Sequence, residues 1–253
     1  MKIESIKKTG KKYKIILDSG QIINTYEEVI LNNGLLFHKY INTALLEKIN
    51  TDTVYYKSYN KALDMINRKL RSEKEIKEYL KKSEVEEKDI NEIVQNLKRI
   101  GLIDDKIFAK AYTNDKINLS SDGPYKIRKY LENNNIKEEY INDAINSIDQ
   151  EIINQKIDKI ILKKIKTNSK YTSNMLKQKI MTYLINLGYS RENIIQRLEN
   201  IKIETQDMTK EIDKIYNKLR KKYKDKELIY KLKNKLYSKG YTKEEIDNFI
   251  TKK

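Results

Sequence analysis

Cysteine is absent from the 253-residue chain, tryptophan is absent too, and histidine occurs once. Without thiols there is no disulfide scaffold, no redox dithiol and no Cys/His zinc site. A Ser-His-Asp device would have to use His38, and nothing near it resembles a nucleophile turn. No GxxxxGK[ST] loop and no GxGxxG fingerprint is present, so ordinary nucleotide binding has no seat. Met1-Lys2-Ile3-Glu4-Ser5-Ile6-Lys7-Lys8 lacks the apolar run of a signal peptide, and no stretch approaches roughly 18 uninterrupted apolar residues. The expectation is a cytoplasmic monomer that avoids membranes, needs no cofactor or metal, and is not an enzyme. Glycine (7) and proline (1) are too scarce for a coil or linker protein. An apolar fraction of 38% is too small for one thick core.

What is abundant is positive charge, and it is unevenly placed. The net +16 divides into +3 over residues 1–50, zero over 51–150 and +13 over 151–253. A coding bias toward lysine would act evenly along the chain, so the asymmetry points to a local basic field. Such a field attracts a polyanion without specifying its sequence.

Helical periodicity dominates after residue 53 and repeats. The apolar series Ile76, Leu80, Val85, Ile90, Val94 advances by four, five, five and four. The same steps recur at Ile127, Leu131, Ile136, Ile141, Ile145, then at Ile180, Leu184, Tyr189, Ile194, Leu198, and again at Leu232, Leu236, Tyr241, Ile246, Ile250. A step of four keeps two side chains on one helix face, and the first step of five crosses a break. Gly188 and Gly240 stand at that break in the third and fourth units, where a left-handed residue ends a helix. Asn135 takes the place in the second unit, and Glu84, a departure from the rule, in the first. Ser72-Glu-Lys-Glu75 and Thr242-Lys-Glu-Glu245 match capping boxes, and Ser190 suits an N-cap. A further amphipathic helix precedes each pair, near 54–70, 104–118, 150–166 and 208–223.

The reading is a mainly all-α protein of tandem three-helix repeats in an elongated curved array, behind a small β-containing N-terminal module. The divisions are 1–52 for that module, then 53–101, 102–149, 150–205 and 206–253. A single unit buries too little to stand alone, and stacking supplies the core. In the N-terminal module Tyr13, Ile15 and Leu17 alternate, Asp18-Ser19-Gly20 turns the chain, and Gln21-Ile22-Ile23 continues, which predicts a hairpin. Short helices are expected near 26–32 and 42–50.

Three stretches carry a family resemblance. They are Ala62-Leu63 with Arg68 and Arg71-Ser72-Glu73-Lys74-Glu75-Ile76; Gly101-Leu102-Ile103-Asp104-Asp105-Lys106-Ile107-Phe108-Ala109-Lys110-Ala111-Tyr112; and Gly123-Pro124 followed by Ile127 and Leu131. In order and separation they resemble the RecX family of RecA regulators. The resemblance covers under a third of the chain, and the third and fourth units join it by periodicity. It implies a negative regulator that binds the RecA–single-stranded DNA filament and limits its extension, ATP hydrolysis and strand exchange. Single- or double-stranded DNA is a possible further partner.

The motif residues read mainly as structure. Asp104 fits an N-cap and Asp105 a first-turn acid; a metal-binding carboxylate pair is the lesser alternative. Phe108, Ala109 and Tyr112 share one helix face and suit core packing. The 19 tyrosines suggest stacking platforms, but most occupy or adjoin apolar repeat positions, so core is the default. The candidate contacts are lysines. Lys156, Lys159, Lys163 and Lys166 form one stripe, opposite Ile153, Ile157, Ile160 and Ile161. Lys210, Lys214, Lys218 and Lys221 form another, opposite Met208, Ile212, Ile215 and Leu219. Together they make a basic track or a merely solvated outer face, and both readings stay open. A general DNA- or RNA-binding repeat protein indifferent to RecA is the main rival, and a scaffold for another protein the next.

Overall fold

The computed structural model describes residues 1–167, 171–201 and 209–251, with the backbone alone for Thr209 and Lys210. These fall into two compact units, residues 1–108 with 134–137, and residues 109–133 with 138–253.

The first unit opens with three antiparallel strands in sequence order, β1 (Ile3–Thr9), β2 (Lys12–Leu17) and β3 (Ile22–Thr25). The expected hairpin is β2–β3, and its Ile15, Leu17 and Ile23 are buried. β1 was not expected. A register shift between Ile3 and Ser5 lets Ile3 and Ile6, three apart, both pack on the core, and so hides the period of two. α1 (Glu27–Asn32) follows as expected.

α2 (Thr43–Arg68) is a correction: the helices expected at 42–50 and 54–70 are one continuous helix running through residue 52. The Thr51 and Thr53 hydroxyls donate back to the Glu47 and Ile49 carbonyls and leave the helix intact. Thr53 Oγ1 also lies 2.6 Å from Thr25 Oγ1, and Asn33 donates to Asp52 at 2.7 Å. The N-terminal half of α2 thus covers the sheet with Leu45, Leu46 and Ile49. Its C-terminal half supplies Ala62, Leu63 and Ile66 to the first repeat, packed on α3 (Glu73–Lys82) and α4 (Glu87–Arg99).

The second and later repeats contain α5 (Asp105–Leu119), α6 (Pro124–Asn133) and α7 (Glu138–Asn146); α8 (Gln150–Thr167), α9 (Ser173–Asn186) and α10 (Arg191–Asn200); and α11 (Thr209–Leu219), α12 (Asp225–Ser238) and α13 (Lys243–Thr251). The apolar template is the core. Ile180, Leu184, Tyr189, Ile194 and Leu198 cluster with Ile153, Ile157 and Ile161, and Leu232, Leu236, Tyr241 and Ile246 cluster with Ile212. The break residues all adopt the left-handed conformation: Glu84 at φ 59°, Asn135 at 57°, Gly188 at 90° and Gly240 at 84°. Glu84 therefore makes the same turn as the glycines.

A recurring contact explains where glycine is required. The N-cap of each second helix docks on the turn of the following repeat. Ser72 Oγ donates to Asn134 Oδ1 at 3.0 Å. The Gly123 and Tyr125 amides donate to the Leu187 and Gly188 carbonyls at 2.7 and 3.0 Å. Thr172 Oγ1 donates to the Gly240 carbonyl at 2.9 Å. A Cβ on Gly188 would lie 2.5 Å from the Lys126 amide nitrogen, and one on Gly240 would lie 2.7 Å from Thr172 Oγ1. Close approach, in addition to positive φ, selects glycine at these two turns.

Candidate nucleic-acid interface

The motif residues settle into structural roles. Ser72 and Glu75 form a complete capping box on α3, and Arg71 pairs with Glu75. Glu73 bridges Lys77 and Lys98 at 2.7 and 2.8 Å. Burial pushes its carboxyl up, but the bonds from those two ammoniums outweigh it and hold the group below its ordinary value. Asp104 Oδ1 accepts from the Lys106 and Ile107 amides, capping α5. Asp105 accepts from the Glu73 amide at 2.9 Å, at the start of α3; burial raises its pKa despite that bond. Both carboxylates are thus committed to helix N-termini. Gly101, at φ 74°, ends α4. Phe108 and Ala109 are buried, and Tyr112 stacks on Tyr130 at 4.2 Å. Gly123 and Pro124 start α6, with the proline at the first helical position, where no amide is needed. Arg68 lies in the last turn of α2.

The lysine candidates separate. Lys159, Lys163 and Lys166 are exposed on α8, opposite buried Ile153, Ile157 and Ile161, with Ile160 half-buried. Lys214 and Lys218 are exposed on α11, whose Ile212 is buried and whose Ile215 and Leu219 are half-buried. Among the described residues none of these five lysines is held in an ion pair. Lys221 is exposed, but α11 ends at Leu219, so it lies in the following turn rather than on the expected helix. The Lys210 side chain and Met208 lie outside the described residues.

Lys156 departs from the stripe. Its ammonium donates to the Ile117 carbonyl and, at 2.7 Å, to the Ser120 carbonyl, closing the C-terminal end of α5. Burial lowers its pKa, and Asp122 opposes the shift. This lysine completes the helix terminus where orphan carbonyls and the negative dipole end favour a cation. The spacing that puts it on the stripe cannot reveal a partner nearly forty residues away.

One feature escaped the sequence reading. α8 and α9 frame an open cleft of about 240 Å³ lined by Lys164, Tyr171, Leu176, Lys179, Ile180 and Tyr183. The Lys164 ammonium sits 3.7 Å from the Tyr183 ring centroid, and Lys179 sits 4.7 Å from that of Tyr171. Tyr171 is 38% exposed and Tyr183 40%. The signal was present: residues 159–190 hold seven lysines and no Asp or Glu. Tyr183 also precedes the buried template position Leu184 and so faces away from the core. By contrast, four basic residues on and beside α3 are ion-paired, Arg71 with Glu75, Lys74 with Glu78, and Lys77 and Lys98 with Glu73, while Lys81 and Lys82 at its end are exposed. Surplus positive charge is thus available on the third and fourth repeats, with aromatic surface beside it on the third.

Comparison with known proteins gives the same lineage for the whole chain. Residues 59–97 match the first three-helix domain of RecX and residues 104–145 the second. A protein of Listeria monocytogenes serotype 4a named "Regulatory protein RecX" is 32% identical over 260 residues, covering 99% of this chain and 96% of its own. The chain belongs to the RecX family. A Streptococcus agalactiae serotype III protein of the same name is also 32% identical, over 99% of this chain and 98% of its own. A crystal structure of regulatory protein RecX superposes with a TM-score of 0.64 at 26% identity, covering 79% of this chain and 99% of that one. RecX from Lactobacillus salivarius gives 0.52 at 29% identity, covering 58% and 97%. The mainly helical repeat fold with a small N-terminal sheet is therefore a RecX fold. Among the described residues no helix is long and apolar enough to cross a membrane.

Proposed function

We propose that this protein is a negative regulator of RecA that binds the RecA–single-stranded DNA filament and limits its extension, ATPase and strand-exchange activity. The observation that carries the reading is the near full-length similarity to proteins named as RecX regulators. The protein acts by binding rather than by catalysis. Four repeats, 53–101, 102–149, 150–205 and 206–253, serve as a series of contacts along a periodic partner, so affinity accumulates by multivalency. The exposed Lys159, Lys163, Lys166, Lys214 and Lys218 supply the attraction to DNA phosphates, with Lys221 adding charge from the turn after α11 and Lys156 serving the scaffold.

The test is RecA ATPase on saturated single-stranded DNA, titrated with substoichiometric protein. Strong inhibition far below one molecule per RecA protomer is expected. Reversing Lys159, Lys163 and Lys166 to Glu should weaken that inhibition and flatten its salt dependence while the fold stays intact. Inhibition that appears only when the protein competes for exposed DNA would replace the filament reading with that of a general basic DNA- or RNA-binding repeat protein.

A further inference from the structure

We propose that the cleft between α8 and α9 is a stacking site for an unpaired base of single-stranded DNA. The choice of DNA rests on the filament reading above; the cleft's chemistry stands independently of RecA. Two partly exposed tyrosine rings line one opening, with apolar Leu176 and Ile180 also in its wall. A base has the flat π-face that such rings accept whatever its identity. The two ammoniums within 5 Å of the rings are on long, flexible stems. When a base enters, the exposed Lys179 can leave the Tyr171 ring for the adjoining phosphate, so a cation–π contact is exchanged for a stack and an ion pair. Base stacking on a protein aromatic is the stronger of the two ring contacts. Lys163 and Lys166 on the exposed side of α8 extend the positive charge beyond the cleft. Nothing acidic opposes it in the sequence from 159 to 190. A duplex keeps its bases paired and stacked on one another, so it can use the lysines and not the rings.

The test uses the full chain without RecA and follows anisotropy of a labelled oligothymidine and of a labelled duplex. Tyr183 carries the substitution, because Tyr171 adjoins Thr172, which docks on the Gly240 turn. Tyr183→Leu should weaken single-strand binding about tenfold, leave duplex binding unchanged, and leave the salt slope unchanged because the phosphate contacts remain. Tyr183→Phe, which keeps the ring, should bind as wild type does. The chain has no tryptophan, so tyrosine emission is readable directly; oligothymidine should quench it in wild type and quench it less in Tyr183→Leu. The proposal is overturned if wild type fails to bind the single strand, if Tyr183→Leu binds it normally, or if the variant loses duplex and single strand equally. The ATPase titration judges the regulatory reading separately. Normal RecA inhibition with normal oligothymidine binding by Tyr183→Leu sinks the cleft alone. Selective loss of oligothymidine by that variant, with no RecA inhibition by wild type, sinks the regulatory reading alone.

Discussion

Replacing Gly123 with alanine puts a methyl group into the seam between the start of α6 and the turn at Gly188. The new Cβ would stand 2.5 Å from both the carbonyl carbon and oxygen of Gly188 and 2.8 Å from the Tyr189 amide nitrogen, where ordinary contact is 3.4–4 Å. All three atoms are backbone, so the turn must retreat by about 1 Å to restore normal packing. That retreat stretches the Gly123–Leu187 and Tyr125–Gly188 bonds, now 2.7 and 3.0 Å, past useful length. Two backbone bonds contribute about 0.5–1.5 kcal/mol each, and overpacking adds about 1–3 kcal/mol, giving a loss of about 2–6 kcal/mol. Gly101→Ala is the control. It also adds a methyl group, at φ 74° and with no atom within 4 Å, so it should cost only the left-handed strain of about 1–2 kcal/mol. Urea unfolding followed by circular dichroism measures both. In a stack of repeats a broken interface also uncouples neighbours, so the Gly123→Ala transition should broaden. A Gly123→Ala loss no greater than that of Gly101→Ala, with an unbroadened transition, would refute the docking argument.

Glu84→Gly should stabilise by about 0.5–1 kcal/mol in the same assay, because relief of left-handed strain at φ 59° exceeds the extra freedom gained by the unfolded chain. Tyr189 and Tyr241 are buried and their pKa values are pushed by burial to about 12, against 10.0 for an ordinary tyrosine. Above pH 10 the unfolded chain therefore holds fewer protons than the fold, and stability should fall between pH 10 and 12 by at most about 1.4 kcal/mol per pH unit for each tyrosine. Tyr189→Phe and Tyr241→Phe should each flatten that fall, which urea midpoints across the range would show. At neutral pH they should differ: Tyr189 donates to the Ser121 carbonyl, whereas the Tyr241 hydroxyl has no hydrogen-bond partner among the described residues. Tyr189→Phe should thus cost about 1 kcal/mol and Tyr241→Phe nothing or less. Lys156→Met should lower stability by about 1–2 kcal/mol by leaving the Ile117 and Ser120 carbonyls without their donor, and should leave the salt slope of DNA binding unchanged.

The repeat was legible because its core positions are spaced by helix geometry, and the residues of the four-five-five-four series are the ones the helices turn inward. Caps were legible for the same reason, since Ser72, Ser190 and Thr242 act on amides three residues away. What escaped depends on distance along the chain. A bulge hid β1 by changing a period of two into a step of three. Threonines that satisfy carbonyls within the helix let α2 run on where two elements were expected. Of the binding candidates, spacing assigns a face and no more: it cannot distinguish Lys159, which is exposed, from Lys156, which is spent on a helix end. The Tyr171–Tyr183 cleft was harder still, because both rings come from α9 and the residue before its cap, and only the packing of α8 brings Lys164 beside them.

The docking of each helix start on the next turn also marks where stacking can continue. Three of these starts hold small residues, Ser72, Gly123 and Thr172, which let another backbone come near. The fourth, at α12, holds Lys224, whose side chain makes no capping bond. The turn at Glu84, at the opposite extreme, forms only local backbone bonds among the described residues, which is why a bulky residue is tolerated there. The α12 start and the Glu84 turn are therefore chemically unlike the three docked joints: a long cationic side chain and an acidic one stand where serine, glycine and threonine admit a second backbone.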